Sequence, residues 1–265
     1  MSKGSFLKLA ISALVISAAA SGQLAVPNAA GVAMGHLHLN VTDIEAHKAF
    51  WAGQLGGEAV KFHNIDVIKF PGMVLFLKRA ATGGASDGSA VGHIGFLVRD
   101  LDPLLVKWKA SGVRVVSENM KIRGVFILSP DDVKIEVYED KTISAPIVNH
   151  HIHFFNQAME ETKAWYVKIF GAKPGKRAQF EAADLPGVNL TFSASKTPTA
   201  PTKGRTLDHI GFEIKDLEAF CKRLEGMGVK FNVPYRKVPA IQSAIAFFTD
   251  PWGTYVELTE GLSAI

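Results

Sequence analysis

The sequence predicts an α+β protein made of four tandem βαβββ modules. Two observations carry this reading. One strand-then-helix pattern recurs four times, and the spacing of the copies pairs them into two similar halves. The chain has 265 residues, 48% of them apolar, enough for well-buried cores in two ordinary domains.

The N-terminus reads as an address. Lys3 and Lys8 precede the apolar run 9–20, and small residues follow at Ala18, Ala20 and Gly22, the layout of a secretory signal over residues 1–22. The run is shorter than the ~20 residues of a membrane span. The mature chain is expected to start between Ser21 and Gly31 and to be secreted or periplasmic. Net charge is +4, and Lys3 and Lys8 account for part of it, so neither nucleic acid nor a membrane surface is an expected partner.

The four module starts are Gly35-His36-Leu-His38, Gly92-His93-Ile-Gly95, His150-His151-Ile-His153 and Asp208-His209-Ile-Gly211. Each begins a β-type run that leads into a helical stretch. Asp43, Asp100 and Asp216 stand where a carboxylate would cap the helix, with Asn156 as the substitute in the third copy. The second helix carries Leu101, Leu104, Leu105 and Trp108 on one face and stops at Gly112. In the fourth, Leu217, Phe220, Cys221 and Leu224 make a core-facing stripe, so the single cysteine reads as packing. Strand-like runs follow each helix: 67–70, 73–77, 123–128, 134–138, 188–192, 244–248 and 254–258. His36 to His93 is 57 residues and His151 to His209 is 58, and the linker 140–148 separates unit 1 (34–140) from unit 2 (149–262).

These module starts, with the closing Asp250-Pro251-Trp252-Gly253-Thr-Tyr-Val-Glu257, resemble the vicinal oxygen chelate superfamily over about residues 34–260. That group includes glyoxalase I, bleomycin-resistance proteins, fosfomycin-resistance transferases and extradiol dioxygenases. The resemblance implies two cupped mixed sheets whose strands direct metal ligands inward. Mapped by strand, unit 1 offers His36, His93 and Glu136, and unit 2 offers His151, His209 and Glu257. Unit 2, with the fuller Asp-Pro-x-Gly tail, is the leading candidate. Two imidazoles and a carboxylate with open positions suit Fe(II), and could also hold Mn, Zn or Ni.

Glyoxalase I relatives add a Glu late in the first module. The corresponding stretches, Val74-Leu75-Phe76 and Asn189-Leu190-Thr191, have no carboxylate. Extradiol relatives place a His and a Tyr upstream of the tail, where this chain has Val238 to Gln242 and Phe247. Strand alternation puts His38 and His153 on the faces of His36 and His151. Each is a candidate general base with an ordinary pKa, or a ligand in its neighbour's place.

Several signals are set aside. Gly84-Ala-Ser86-Asp-Gly88 has the letters of a hydrolase elbow but lies in a loop between strands. The sequons at Asn40 and Asn189 fall on or beside predicted strands. Lys168, Lys173, Lys176 and Arg177 read as a solvated surface, and His47 and His63 as solvent-facing. Two functions remain: a metalloenzyme acting on a small oxygen-chelating substrate, or a metal-free protein that sequesters a ligand in its cup.

Overall fold

A computed structural model describes residues 23–262 and 265 of the chain. The signal-like segment 1–22 lies outside the described residues. All four modules form as βαβββ. Module one is β1 (Val32–Val41), α1 (Ile44–Lys48, continued by the π-helical Ala49–Gln54), β2 (Glu58–Phe62), β3 (Ile65–Phe70) and β4 (Met73–Arg79). Module two is β5 (Val91–Val98), α2 (Leu101–Ala110), β6 (Arg114–Asn119), β7 (Gly124–Leu128) and β8 (Lys134–Glu139). Module three is β9 (Ile147–Asn156), α3 (Met159–Phe170), β10 (Lys173–Arg177), β11 (Phe180–Leu185) and β12 (Val188–Ala194). Module four is β13 (Leu207–Ile214), α4 (Leu217–Gly226), β14 (Phe231–Val238), β15 (Ser243–Thr249) and β16 (Tyr255–Glu260).

The strands make two eight-stranded mixed sheets, and the pairing crosses the halves. One sheet runs β14-β15-β16-β13-β1-β4-β3-β2, joining modules one and four. The other runs β10-β11-β12-β9-β5-β8-β7-β6, joining modules two and three. The antiparallel seams are β1 with β13 and β5 with β9. The expectation that each cup is built from one sequence half is therefore corrected.

Sequence neighbours meet instead through their helices. Trp51, on the π-helical turn of module one, touches Phe70 of its own sheet and Phe96 of the other. Tyr166 of α3 packs on Phe154, and Phe170 of the same helix packs on Phe212 and Phe248 of the opposite sheet. These residues belong to one continuous apolar core.

Local signals act mostly as expected. The Asp43 side chain accepts from Glu45 N and Ala46 N, and Asp216 accepts from Ala219 N. Asp100 makes no such bond; Glu139 Oε2 accepts from Leu101 N in its place. Cys221 is buried on the α4 stripe, and burial pushes its thiol up to about 12. Ser86 is a buried strut, accepting from Lys134 N and donating to the Gly92 carbonyl. His47 does not face solvent: it is fully buried, accepting from the Trp51 indole at Nδ1 and donating from Nε2 to Asp131.

Candidate metal centre

Strand register builds the sites. On the first sheet His36 of β1 lies opposite Gly211 of β13, and Gly211 lies beside Glu257 of β16. His209 is two residues from Gly211, hence on the same face, and lies opposite His38. The second sheet repeats this: His151 opposite Gly95, Gly95 beside Glu136, and His93 opposite His153.

The glycines are structural requirements of these rows. A Cβ at Gly211 would come within 2.0 Å of the His36 ring, and one at Gly95 within 1.9 Å of the His151 ring. Each ring lies flat over a residue that must have no side chain.

The strands therefore bring together His36 with His209 and Glu257, and His93 with His151 and Glu136. All six expected ligand residues line the cups, but the expected grouping is wrong. His151 and His209 stand on different sheets, as do His36 and His93. The physical reason is that each cup takes one His-x-His strand and one His-x-Gly strand, which both halves of the sequence also supply.

In the first cup, Glu257 Oε2 lies 2.9 Å from His36 Nε2 and 2.8 Å from His209 Nε2. These atoms lie within 4.8 Å of one another, as a shared metal ion requires. Asp208 Oδ2 is 2.6 Å from His209 Nδ1 and holds the ring so that Nε2 points into the cup. The two imidazoles hold the Glu257 carboxyl well below its usual range despite burial, which acts against ionisation. Asp208 and Glu257 together raise His209, while burial lowers His36. A cavity of about 150 Å³ opens in front, walled by Ile65, Phe76, Ile241, Ile245, Phe247 and Leu262. An apolar cavity of ~150 Å³ has the size that admits benzene.

His38 and His153 enter the cups, as alternation predicts. The His38 ring centroid is 4.4 Å from that of His209, and His153 Nδ1 is 3.1 Å from His93 Nε2. Their expected ordinary pKa values are not kept. Burial and the neighbouring histidines push His38 down to about 3 and His153 to about 2. Both rings are neutral at physiological pH.

The second cup has its own additions. Glu136 Oε2 lies 3.1 Å from His151 Nε2 and 3.4 Å from His93 Nε2. His93, His151 and His153 also offer ring nitrogens within 4.8 Å of one another. Tyr138 donates to Glu136 Oε1 at 2.7 Å, and Arg177 brings Nη2 to 3.6 Å from Glu136 Oε2. Arg177 thus leaves the expected solvated basic cluster for the cup interior. Asp208, Tyr138 and Arg177 were missed from the sequence. The only trace of Asp208 was its place immediately before His209.

Register also fixes what β4 and β12 present to the cups. Val74 and Phe76 lie beside His36 and His38, and Asn189 and Thr191 beside His151 and His153, so no carboxylate enters from these strands.

The chain belongs to the glyoxalase/bleomycin resistance protein/dioxygenase superfamily, whose family model matches residues 33–137 and 149–258. Among solved structures it is similar to glyoxalase I of Zea mays, at 17% identity and a TM-score of 0.71, over 88% of this chain and 94% of that one. A candidate dioxygenase of Bacillus subtilis is similar at 15% identity and a TM-score of 0.65, over 90% and 86% of the two chains. At these identities the likeness is one of fold. No curated protein matches the chain by sequence.

Proposed function

We propose that the chain is an exported, divalent-metal-dependent enzyme whose centre is the first cup, with His36, His209 and Glu257 as ligands. The observation that carries this is the convergence of three donor atoms at the head of a small cavity. The residues fit a metal. Two imidazole nitrogens face one carboxylate oxygen at hydrogen-bond distance, and Asp208 directs one of them. A bound Fe(II), Mn, Zn or Ni would act there as a Lewis acid on a substrate held through two adjacent oxygens.

The protein's own groups then have distinct tasks. Asp208 keeps the Nδ1 proton of His209. The apolar walls exclude water and limit the substrate to a few non-hydrogen atoms. His38, neutral and beside His209, is the candidate to accept or return a substrate proton. Proton transfer on a small vicinal-oxygen compound, in a lyase, isomerase, transferase or dioxygenase reaction, is the reading these parts support. The absence of a carboxylate at Val74 or Phe76 argues against the four-ligand glyoxalase arrangement. Export rests on Lys3, Lys8 and the apolar run 9–20, and mass spectrometry of the mature N-terminus tests it. An intact residue 1 on protein recovered from the cytoplasm would reject it, whereas an intact residue 1 on exported protein would mean an uncleaved anchor.

A metal-free ligand-sequestering protein is the second reading, favoured by the largely apolar cavity wall. Metal analysis of the chain without residues 1–22 separates the two. Near-stoichiometric metal, lost in His209→Ala, supports the enzyme. A protein that stays empty after incubation with Fe(II), Mn, Zn and Ni supports the binder.

A further inference from the structure

We infer that Arg177 takes the place of a cation in the second cup, so that this cup excludes metal and the chain binds one divalent ion, not two. The inference uses the metal reading of the first cup only as its reference, and its test separates the two.

Two equivalent positions differ between the cups. Phe62 of β2 pairs with Ile65 of β3, and Arg177 of β10 pairs with Phe180 of β11. Both pairs close two-residue hairpin turns whose first residue, His63 or Ala178, has φ of 51°. Phe62 and Arg177 are thus the same place in two modules. Phe76 and Thr191 are a second such place, beside His38 and His153.

In the first cup both places are phenylalanine. Phe62 packs edge-on against Phe76 with centroids 6.3 Å apart, and Phe76 packs against His36 at 5.0 Å. In the second cup the two places form a polar couple. Arg177 Nε donates to Thr191 Oγ1 at 2.8 Å, and that hydroxyl donates onward to Asn189 Oδ1 at 2.7 Å. The guanidinium lies over the Phe180 ring at 5.5 Å and the Tyr138 ring at 6.0 Å. It is held from three sides and cannot swing away without breaking these contacts.

So placed, Arg177 Nη2 stands 3.6 Å from Glu136 Oε2, the oxygen that also faces His93 and His151. Nη2, Oε2 and His151 Nε2 are all buried, and none has a hydrogen-bond partner. Opposite charge sets Arg177 Nη2 against Glu136 Oε2, with His151 Nε2 beside that oxygen. A metal ligated by His93, His151 and Glu136 would sit ~2 Å from that oxygen, within a few ångströms of a fixed guanidinium. Like charges at that range in a dry interior repel strongly. The Glu136 charge that would attract a dication is already neutralised. His93 and His151, expected as ligands, become partners of an internal ion pair.

The test is metal stoichiometry, with Co(II) as the probe, read by equilibrium dialysis and by Co(II) absorption. Wild type binds one ion, His209→Ala removes it, and His151→Ala leaves it in place. Arg177→Met, uncharged and of similar length, raises the count to two. The second ion disappears again when His151→Ala is added. Affinity at the second cup is expected to rise at least ~100-fold in Arg177→Met. Circular dichroism confirms folding, and Arg177→Gln serves if the methionine variant does not fold.

Two ions in wild type, one of them lost in His151→Ala, would overturn the inference, as would a folded charge-free variant still holding one. A wild type holding no ion, with Arg177→Met gaining one at the second cup, would remove the proposed enzyme reading and leave this one standing.

Discussion

Asp208 decides which nitrogen of His209 serves the cup. Its Oδ2 accepts from the His209 Nδ1–H, while its Oδ1 accepts from Gly204 N and Asn40 Nδ2. Asp208→Asn preserves size and can keep the second set of bonds. Its amide N–H, facing Nδ1, would force the proton onto Nε2 and block the lone pair. Metal affinity is expected to fall ~10- to 100-fold with little change in the melting transition. Calorimetric titration and thermal unfolding check the two halves of that statement. Gly211→Ala gives a steric counterpart: the added methyl overlaps the His36 ring, so first-cup metal is lost in a metal assay. Gly95→Ala acts only on the second cup and leaves that metal bound. At this scale the sequence was partly legible. Two-residue alternation placed His38 and His153 on the faces of His36 and His151, and module alignment found all six residues whose side chains gather in the two cups. Arg177 was illegible because, in a run with Lys173 and Lys176, nothing local distinguishes an inward guanidinium from solvated charges.

Elements are joined by a few polar ties. Asp131, in the turn before β8, accepts from Thr42 N at 2.7 Å, Thr42 Oγ1 at 2.8 Å and His47 Nε2 at 3.1 Å. It pins the start of α1 to module two. Asp131→Ala strands the buried His47 donor and is expected to cost about 1–3 kcal/mol in chemical denaturation. The tie also carries a pH dependence. Burial lowers the His47 pKa, so the unfolded chain takes up a proton near 6.5 that the folded chain refuses. The Asp131 pKa is lowered too, by the bonds from Thr42 and His47 acting against burial. Both shifts make stability fall on acidification, first below pH 6.5 for His47 and then below 3.8 for Asp131. Thermal midpoints measured from pH 7.5 to 5 should drop in wild type and drop less in His47→Gln; equal slopes would reject the assignment. His47 looked solvent-facing in the sequence because it lies outside the aligned strands, and its partner Asp131 is far along the chain.

At the scale of the whole molecule, module order does not predict module pairing. A His-x-His strand needs a His-x-Gly strand, because the histidine ring requires the bare glycine opposite. Modules one and two meet that rule as well as modules one and four do. The choice lies in helix packing: Trp51 against Phe96, and Phe170 against Phe212, tie sequence neighbours back to back and leave their strands free to pair with the other half. The consequence is measurable by cutting the chain in the linker 140–148. Neither half alone contains all three donors of either cup, so on the proposed metal reading each should bind no Co(II), and coexpressed halves should copurify and recover the metal. Independent binding by residues 149–262 would contradict the observed pairing.

The crossed pairing also nests one cup inside the other. His93 and His153 are 60 residues apart, whereas His36 and Glu257 are 221 apart. As the polypeptide leaves the ribosome, the inner sheet has all its strands while the outer sheet has only its first module. The founding strand β1 must wait, with an unpaired edge, for the final strands of the same chain. The centre proposed for metal is therefore the last part of the molecule to close. Loss of the C-terminal strand carrying Glu257 would disable a site begun at the opposite end.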